Sequence, residues 1–179
     1  MLRIGLIGAD NFHAKQFSAI ANAVEKTMAW QKRVAVAAVY DPDPRAAQAL
    51  AREHDIGFVA RDPAQLSHHA DAVMITLRDG ATHPQYALPF LRQGMPVWVD
   101  KPLALTVADA QALCDAASAH GALLAGGSNC KYLAPVRALA KRARALREQG
   151  RLLGGAFNFP GCLDSPYHGL YFYGSYSAE

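Results

Sequence analysis

The residues of this chain that could do chemistry begin where its first apolar segment ends. That segment runs into the turn Gly5–His13, and Gly8 takes the tight-turn position of the dinucleotide fingerprint Gly-x-Gly-x-x-Gly. Asp10 and His13 stand where the second and third glycines would be, so the fingerprint is degenerate. Such a turn binds pyrophosphate through backbone N–H groups at a helix N-terminus. A carboxylate at Asp10 would repel phosphate unless it caps the helix and points away.

A second candidate residue, Asp41, follows the valine-rich segment Val34–Tyr40. An acid at the end of a second strand accepts hydrogen bonds from the adenosine ribose hydroxyls of a bound dinucleotide. The same acid would repel a 2′-phosphate, so the sequence favours NAD over NADP. Asp41 is also suited to cap the helix that follows Pro42-Asp43-Pro44, and the two roles are compatible.

A third candidate is the segment Val97–Thr106, in which Asp100, Lys101 and Pro102 directly follow an apolar strand. Ligands of open α/β sheets bind at the carboxyl ends of the strands. A lysine there would lie near the nicotinamide end of a dinucleotide. By composition alone, the same three residues are compatible with a surface turn.

Alternating short apolar and amphipathic segments would position these residues. The predicted strands are Leu2–Ile7, Val34–Tyr40, Phe58-Val59, Ala72–Thr76, Val97–Val99 and Leu123–Ala125. The predicted helices are one around Phe17 and Ile20, then Pro44–Glu53, His83–Arg92 and Thr106–Ala119. The last has Thr106 as N-cap and a start that resembles a capping box, with Asp109 in place of the usual Glu. Strands that are apolar on both faces predict an α/β fold, a doubly wound parallel sheet of the Rossmann type.

A boundary is predicted at Gly126-Gly127-Ser128. Beyond it we predict one basic helix, Ala134–Gln149, and one strand, Leu152–Phe159. About fifty residues with one helix and one strand are too few for a separate core, and a lone strand needs a partner. We therefore expect the chain to be part of a longer protein, or its last strand to join a sheet from elsewhere.

Composition excludes several classes of protein. Hydrophobic residues make up 51% of the 179 residues and charged residues 18%, which predicts a packed core rather than a disordered chain. No apolar segment is long enough to span a membrane, and no signal peptide precedes the first strand. The cysteines Cys114, Cys130 and Cys162 are far apart. We therefore expect a cytoplasmic protein without a disulfide framework, a metal site or a membrane partner.

Positive charge is concentrated in the basic helix. Seven of the 18 basic residues lie between Lys131 and Arg151, where Glu148 is the one acid. A nucleic-acid surface is one interpretation of such a pattern. The simpler one is a solvated helix face, with a core-facing stripe of Val136, Leu139, Ala143 and Leu146. We expect no nucleic-acid partner.

Four segments resemble, in order and spacing, the Gfo/Idh/MocA family (glucose-fructose oxidoreductase, inositol dehydrogenase and relatives). They are the turn at Gly8, Asp41, the segment Gly94–Ala104 and the segment Gly127–Pro135. The family's usual Glu-Lys-Pro is Asp-Lys-Pro here. The resemblance covers nearly the whole chain. It implies a Rossmann domain over residues 1–127 and, over residues 128–179, the beginning of a truncated α+β substrate and dimerisation domain, which makes the full-length form a homo-oligomer.

The resemblance also implies individual roles. Lys101 would contact the nicotinamide ribose and the substrate hydroxyl and assist its deprotonation, and Pro102 would shape that turn through a cis bond. The loop Thr76–Gly80 would lie along the cofactor, where Arg78 departs from the family's Thr-Pro-Asn and would contact phosphate or substrate. His83 matches a histidine that opens the next helix, and we expect it to act in capping. The predicted cofactor-binding residues are Gly8, Ala9, Asp10, Asn11, Phe12, Asp41, Thr76, Leu77, Arg78, His83, Asp100, Lys101 and Pro102.

The catalytic histidine of the family has no obvious counterpart. Family members present Asp-x-x-x-His in the second domain, and the matching stretch here has Phe172 and Tyr176 at those positions. An ordinary tyrosine is a poor base at neutral pH, but a neighbouring Lys101 ammonium would lower its pKa. We predict Lys101 and Tyr176 as the catalytic residues, with His168 as another nearby candidate.

The predicted function is therefore an NAD-dependent oxidoreductase, with NADP the less favoured cofactor. It would transfer hydride between nicotinamide and a sugar, polyol or similar small hydroxyl compound. The alternative is a non-catalytic NAD-binding or sensing protein of the same fold, which the missing histidine favours.

Overall fold

The computed structural model describes residues 1–23, 25, 27–156, 158, 164–167 and 169. The chain divides into two units, Met1–Gly126 and Gly127–Glu179. The first unit carries the sheet and all the predicted site residues except those in the last segment of the chain.

Six parallel strands form the sheet of the first unit. They are β1 (Leu2–Ile7), β2 (Val34–Tyr40), β3 (Phe58–Val59), β4 (Ala72–Ile75), β5 (Val97–Val99) and β6 (Leu124–Gly126). Their order in the sheet is β3-β2-β1-β4-β5-β6, and every neighbouring pair is parallel. The chain reverses its direction of winding between β1 and β4. This is the doubly wound Rossmann topology, and the fold predicted from the strand pattern is confirmed.

Helices follow most strands of this unit. They are α1 (Phe12–Ala21), α2 (Pro44–Glu53), α3 (Leu66–His69), α4 (His83–Leu91) and α5 (Val107–Ala119). Thr106 is the N-cap of α5 as predicted, because its hydroxyl accepts from Asp109 N; the hydroxyl also donates to the Asp109 carboxylate. Gly94 and Gly121 follow α4 and α5 with φ of 74° and 62°, a conformation that glycine adopts without strain.

The sheet is covered on both faces. Leu6 and Ile7 are adjacent in β1 and fully buried, yet they belong to two different clusters of buried side chains. Successive side chains of a strand point to opposite faces, so each face of β1 packs against its own cluster. Phe90 and Leu113 join the Ile7 cluster, and Leu50 joins the Leu6 cluster. This rigid two-sided core holds the carboxyl ends of the strands in place.

The second unit contains α6 (Ala134–Glu148), preceded by a 3-10 turn at Asn129–Tyr132. Two predictions for this unit are wrong over the part that the structure describes. Residues 151–156 and 158 form no strand, although we predicted one over Leu152–Phe159; a strand forms only where a neighbour accepts its hydrogen bonds. The predicted core stripe of α6 is not buried either, since no α6 residue is buried and Leu139 is 64% exposed.

Candidate cofactor-binding site

The predicted site residues meet at one edge of the sheet. Four last residues of strands pair in register across it: Tyr40, Ile7, Ile75 and Val99. Each is followed by a predicted site residue, in the same order Asp41, Gly8, Thr76 and Asp100. Because the strands are parallel, these residues share the carboxyl edge at the switch between β1 and β4, where open α/β sheets bind ligands.

Gly8 forms the tight turn after β1. Its φ is +98°, and its N–H donates to the Tyr40 carbonyl at 2.9 Å. A Cβ atom at this position would lie 2.6 Å from the backbone nitrogen of Leu77. The backbone of the turn therefore packs directly on the segment after β4, which only glycine permits.

Asp41 holds this turn. One oxygen of its carboxylate accepts the Ala9 N–H at 2.6 Å, and the other accepts the Asp43 N–H at 2.8 Å. The cap of α2 is Asp43, which accepts from Arg45 N, so the expectation that Asp41 itself caps this helix is wrong. The reason is position, because only Asp43 directly precedes the first turn. A carboxylate has about four acceptor sites, which leaves Asp41 capacity for ribose hydroxyls.

The cap of α1 is Asn11 rather than Asp10. Asn11 has the extended backbone of a cap residue, its side-chain oxygen accepts the Ala14 N–H at 2.8 Å, and its Nδ2 donates to the Thr76 carbonyl at 2.7 Å. The Asp10 side chain is 81% exposed. The expectation that Asp10 caps the helix is therefore wrong, because the chain enters the helix one residue later. Phe12, the first residue of α1, is also exposed.

Arg78 lies beside the glycine turn. Its Nε donates to the Asp10 carbonyl at 2.8 Å, and its Nη2 is 3.8 Å from the Asp10 carboxylate. A guanidinium therefore offsets the negative charge of Asp10 in the region where a pyrophosphate would bind. The side chains are partly exposed, so the net interaction is modest.

Thr76 joins β4 to the same turn. Its hydroxyl is buried and lies 2.7 Å from the Gly8 carbonyl, to which it donates. Leu77 packs against the larger core cluster. The segment predicted to lie along a cofactor is thus held rigidly at its start.

His83 connects two loops of the site. The side chain is fully buried, its Nδ1 is 2.8 Å from the Pro102 carbonyl and its Nε2 is 2.8 Å from the Leu77 carbonyl. The cap position before α4 belongs to Thr82. The expectation that His83 acts in capping is therefore wrong, because its ring faces the two loops rather than the helix end.

Asp100, Lys101 and Pro102 form a buried turn. The peptide bond between Lys101 and Pro102 is cis, as expected. Asp100 and Lys101 are 6% and 5% exposed, and the Asp100 carboxylate accepts the Lys101 N–H at 2.8 Å. A Cβ at Gly80 would lie 2.5 Å from Cγ of Pro102, so this turn also packs on the loop after β4.

One residue beside the site has no role predicted from the sequence. His13, in the first turn of α1, places Nδ1 2.5 Å from the second oxygen of Asp100. The sequence shows that His13 replaces a glycine of the fingerprint, but it does not show that Asp100, 87 residues away, is its partner. The signal available in the sequence was a polar side chain at a position where close packing of helix on strand usually requires glycine.

The remaining predictions concern residues near the end of the chain, metal ligands and membrane-spanning helices. Phe172, Tyr176 and His168 lie outside the described residues. Among the residues that are described, no three His, Cys, Asp or Glu side chains are grouped closely enough to hold a metal ion. Within the same residues, no helix is long and apolar enough to cross a membrane.

Comparison with known proteins decides the family. Residues 2–128 match the model of the Gfo/Idh/MocA oxidoreductases, described as an oxidoreductase family with an NAD-binding Rossmann fold. The chain belongs to the Gfo/Idh/MocA family. Inositol 2-dehydrogenase of Acidothermus cellulolyticus is 32% identical over 124 residues, which are 67% of this chain and 33% of that protein. Inositol 2-dehydrogenase of Acidiphilium cryptum is 35% identical over 121 residues, 67% of this chain and 34% of that protein.

Solved structures agree on the fold of this Gfo/Idh/MocA chain. The myo-inositol dehydrogenase of Lactobacillus casei, in complex with NAD(H) and myo-inositol, superposes with a TM-score of 0.70 at 23% identity, over 82% of this chain and 42% of that one. GenD2 of gentamicin A biosynthesis, in complex with NAD, gives 0.68 at 25% identity, over 82% and 40%. The chain spans about a third of the length of the curated relatives it matches.

Proposed function

We propose that this chain binds NAD(H) as part of an oxidoreductase that acts on the CH–OH group of a polyol, sugar or similar compound. The observation that carries the proposal is the match of residues 2–128 to an NAD-binding oxidoreductase family, together with Asp41 at the end of β2. Relatives named inositol 2-dehydrogenase favour a cyclic polyol among these substrates. A cytoplasmic location and self-association of the full-length form stay predictions of the sequence.

The residues present fit a dinucleotide. Gly8 forms the tight turn after β1, and the turn that follows leads into the N-terminus of α1, where N–H groups favour anions. Asp41 would accept the hydroxyls of the adenosine ribose and repel a 2′-phosphate, which favours NAD over NADP. Arg78 would add a positive charge beside the pyrophosphate.

Lys101 would act at the other end of the cofactor. When bound, nicotinamide supplies the chemistry, because its ring accepts or returns a hydride. Lys101 is held by a buried turn between β5 and α5, so its position is defined before a ligand arrives. Its ammonium would lower the energy of negative charge on the substrate oxygen as the hydroxyl loses its proton.

The test combines binding and turnover. Titration of the chain with NADH, followed by cofactor fluorescence, should give saturable binding, tighter than binding of NADPH. Turnover with NAD⁺ on a panel of polyols and sugars, with myo-inositol among them, then identifies the substrate class. Absence of saturable NADH binding would contradict the proposal.

A non-catalytic NAD-binding protein is the second candidate. It is favoured by Phe172 and Tyr176, which stand where the family's motif has an acid and a histidine. Turnover separates the two functions when it is measured on the protein with its whole substrate domain, because this candidate then predicts NADH binding without turnover on any member of the panel.

A further inference from the structure

His13 and Asp100 form an imidazole–carboxylate pair between two parts of the site. His13 lies in the first turn of α1, beside the glycine turn, and Asp100 directly follows β5. Nδ1 of His13 is 2.5 Å from one carboxylate oxygen of Asp100, and the other oxygen accepts the Lys101 N–H at 2.8 Å. One carboxylate therefore orients both the imidazole and the backbone of the lysine turn.

The arrangement defines the free nitrogen of the ring. A carboxylate accepts hydrogen bonds, so Nδ1 carries the proton and donates it to Asp100. In the neutral imidazole, Nε2 is then the nitrogen with a lone pair. It has no hydrogen-bond partner among the residues that the structure describes. The side chain is 21% exposed, so a ligand can reach the ring.

Neighbouring rings hold the imidazole in place. The centroid of His13 is 5.6 Å from that of Phe17, which in turn meets Trp98 of β5 edge-to-face at 5.4 Å. The packing and the Asp100 contact together limit rotation of the ring. Nε2 is thus a positioned acceptor rather than a mobile surface group.

The position of the pair indicates what it would meet. The pyrophosphate is proposed to bind at the start of α1, and the reacting hydroxyl near Lys101 after β5. His13 connects these two regions through Asp100. The hydrogen-bond donors expected there are hydroxyl groups, either of the nicotinamide ribose or of the polyol substrate.

We propose that Nε2 of His13, oriented by Asp100, accepts a hydrogen bond from a hydroxyl group bound at the carboxyl edge of β5. The proposal rests on the proposed NAD(H) function and adds a binding residue to it. A purely structural role, in which the pair only ties α1 to β5, is the competing explanation.

The experiment uses the full chain labelled with ring-¹⁵N histidine. The resonances of His13 are assigned by their loss in His13→Asn. The spectra are recorded at a pH at which the His13 ring is neutral, where the free chain should show Nδ1 protonated and Nε2 unprotonated. NADH is added to saturation, as judged by its fluorescence, and myo-inositol is then added. The Nε2 resonance should move upfield at the first addition if the donor is the ribose, and at the second if the donor is the polyol.

Internal controls come from other histidines. His68 in α3 and His120 after α5 are both exposed and outside the site, and neither should shift at either addition. Saturable NADH binding with no shift of Nε2 at either addition overturns the inference and leaves the proposed function intact. Failure to bind NADH at all counts against the proposed function instead, and the inference falls with it.

Affinity gives a second measurement. If the ribose is the donor, His13→Asn should weaken NADH binding about threefold to tenfold, the usual effect of one lost hydrogen bond. If the polyol is the donor, NADH affinity should stay within about twofold, and the Nε2 shift should require myo-inositol. The matched control is His120→Asn, which should change neither quantity.

Discussion

At the residue scale, Asp41 has a structural role in the glycine turn and a proposed role in cofactor recognition. Its carboxylate holds the Ala9 N–H and is buried at 8% exposure. We expect Asp41→Ser to erode the preference for NADH over NADPH, because the repulsion of a 2′-phosphate is removed. The measurement is the ratio of the two dissociation constants by fluorescence titration.

The control for that variant is Asp43→Ser. It removes a carboxylate two residues away, and serine still caps α2. The ratio should be unchanged in this variant. Equal or tighter binding of NADPH by the unmodified chain would contradict the role given to Asp41.

The second residue-scale prediction concerns the side chain of Lys101 and its effect on turnover. Lys101→Ala should reduce any dehydrogenase turnover by roughly 10²-fold or more, the usual scale for a positioned group in proton transfer. NADH affinity should change far less, since the lysine acts at the reacting centre. Turnover on the substrate found in the polyol panel and NADH titration measure the two effects. Exposed Lys32 offers the control Lys32→Ala, and turnover that survives in Lys101→Ala would remove the lysine from the mechanism.

At the scale of elements, the turn between β1 and α1 depends on close backbone contact with the segment after β4. Gly8→Ala would place a Cβ 2.6 Å from Leu77 N at a φ of +98°. We expect a loss of about 1–3 kcal/mol in the free energy of unfolding from the backbone strain alone, and strongly weakened NADH binding. Denaturant unfolding and titration measure both. Gly57→Ala, where a Cβ meets nothing within 4 Å, is the matched control.

A second element-scale prediction concerns the ion pair that joins β1 to the start of β4. The Arg3 guanidinium and backbone N–H both bond the Asp71 carboxylate, and they lower the pKa of Asp71 to about 2. A lowered pKa in the folded state stabilises the protein above the ordinary pKa of the acid, and this contribution is lost as pH falls toward 2.

The measurement compares the unmodified chain with Asp71→Asn. The difference in unfolding free energy should be present at pH 6 and should shrink through the range between about pH 4 and pH 2. Asp115→Asn, which replaces an exposed acid bonded only to neutral Gln111, should show a much weaker pH dependence. A difference that is independent of pH would show that Asp71 contributes through packing rather than charge.

At the scale of the whole molecule, cofactor binding should stabilise the first unit, because the proposed site at four strand ends exists only in the folded state. NADH at about 100 times its dissociation constant should add about 2.7 kcal/mol to the unfolding free energy. For a chain of this size the midpoint of thermal unfolding should rise by about 5–10 °C. Differential scanning calorimetry measures the shift, and Gly8→Ala should abolish most of it.

The local sequence determined the elements and the chemistry at their ends. Pro44–Glu53 and the six strands lie within a residue or two of their predicted bounds, because apolar periodicity and capping residues act over a few positions. Asp41 and Lys101 could be predicted as candidate site residues for the same reason, since the end of a buried strand is a local feature of the sequence. The strand predicted over Leu152–Phe159 failed over its described residues, because a strand also needs a partner that its own residues do not specify.

Only the tertiary structure decided which side chains of the site meet. The cap of α1 is Asn11 rather than Asp10, because Asn11 has the extended backbone that directly precedes the helix. His83 faces the Leu77 and Pro102 carbonyls, and His13 meets Asp100 across 87 residues. These contacts depend on the order of strands in the sheet, which places β5 within reach of α1. Residues far apart in the chain become neighbours through that order, and no local pattern in the sequence records it.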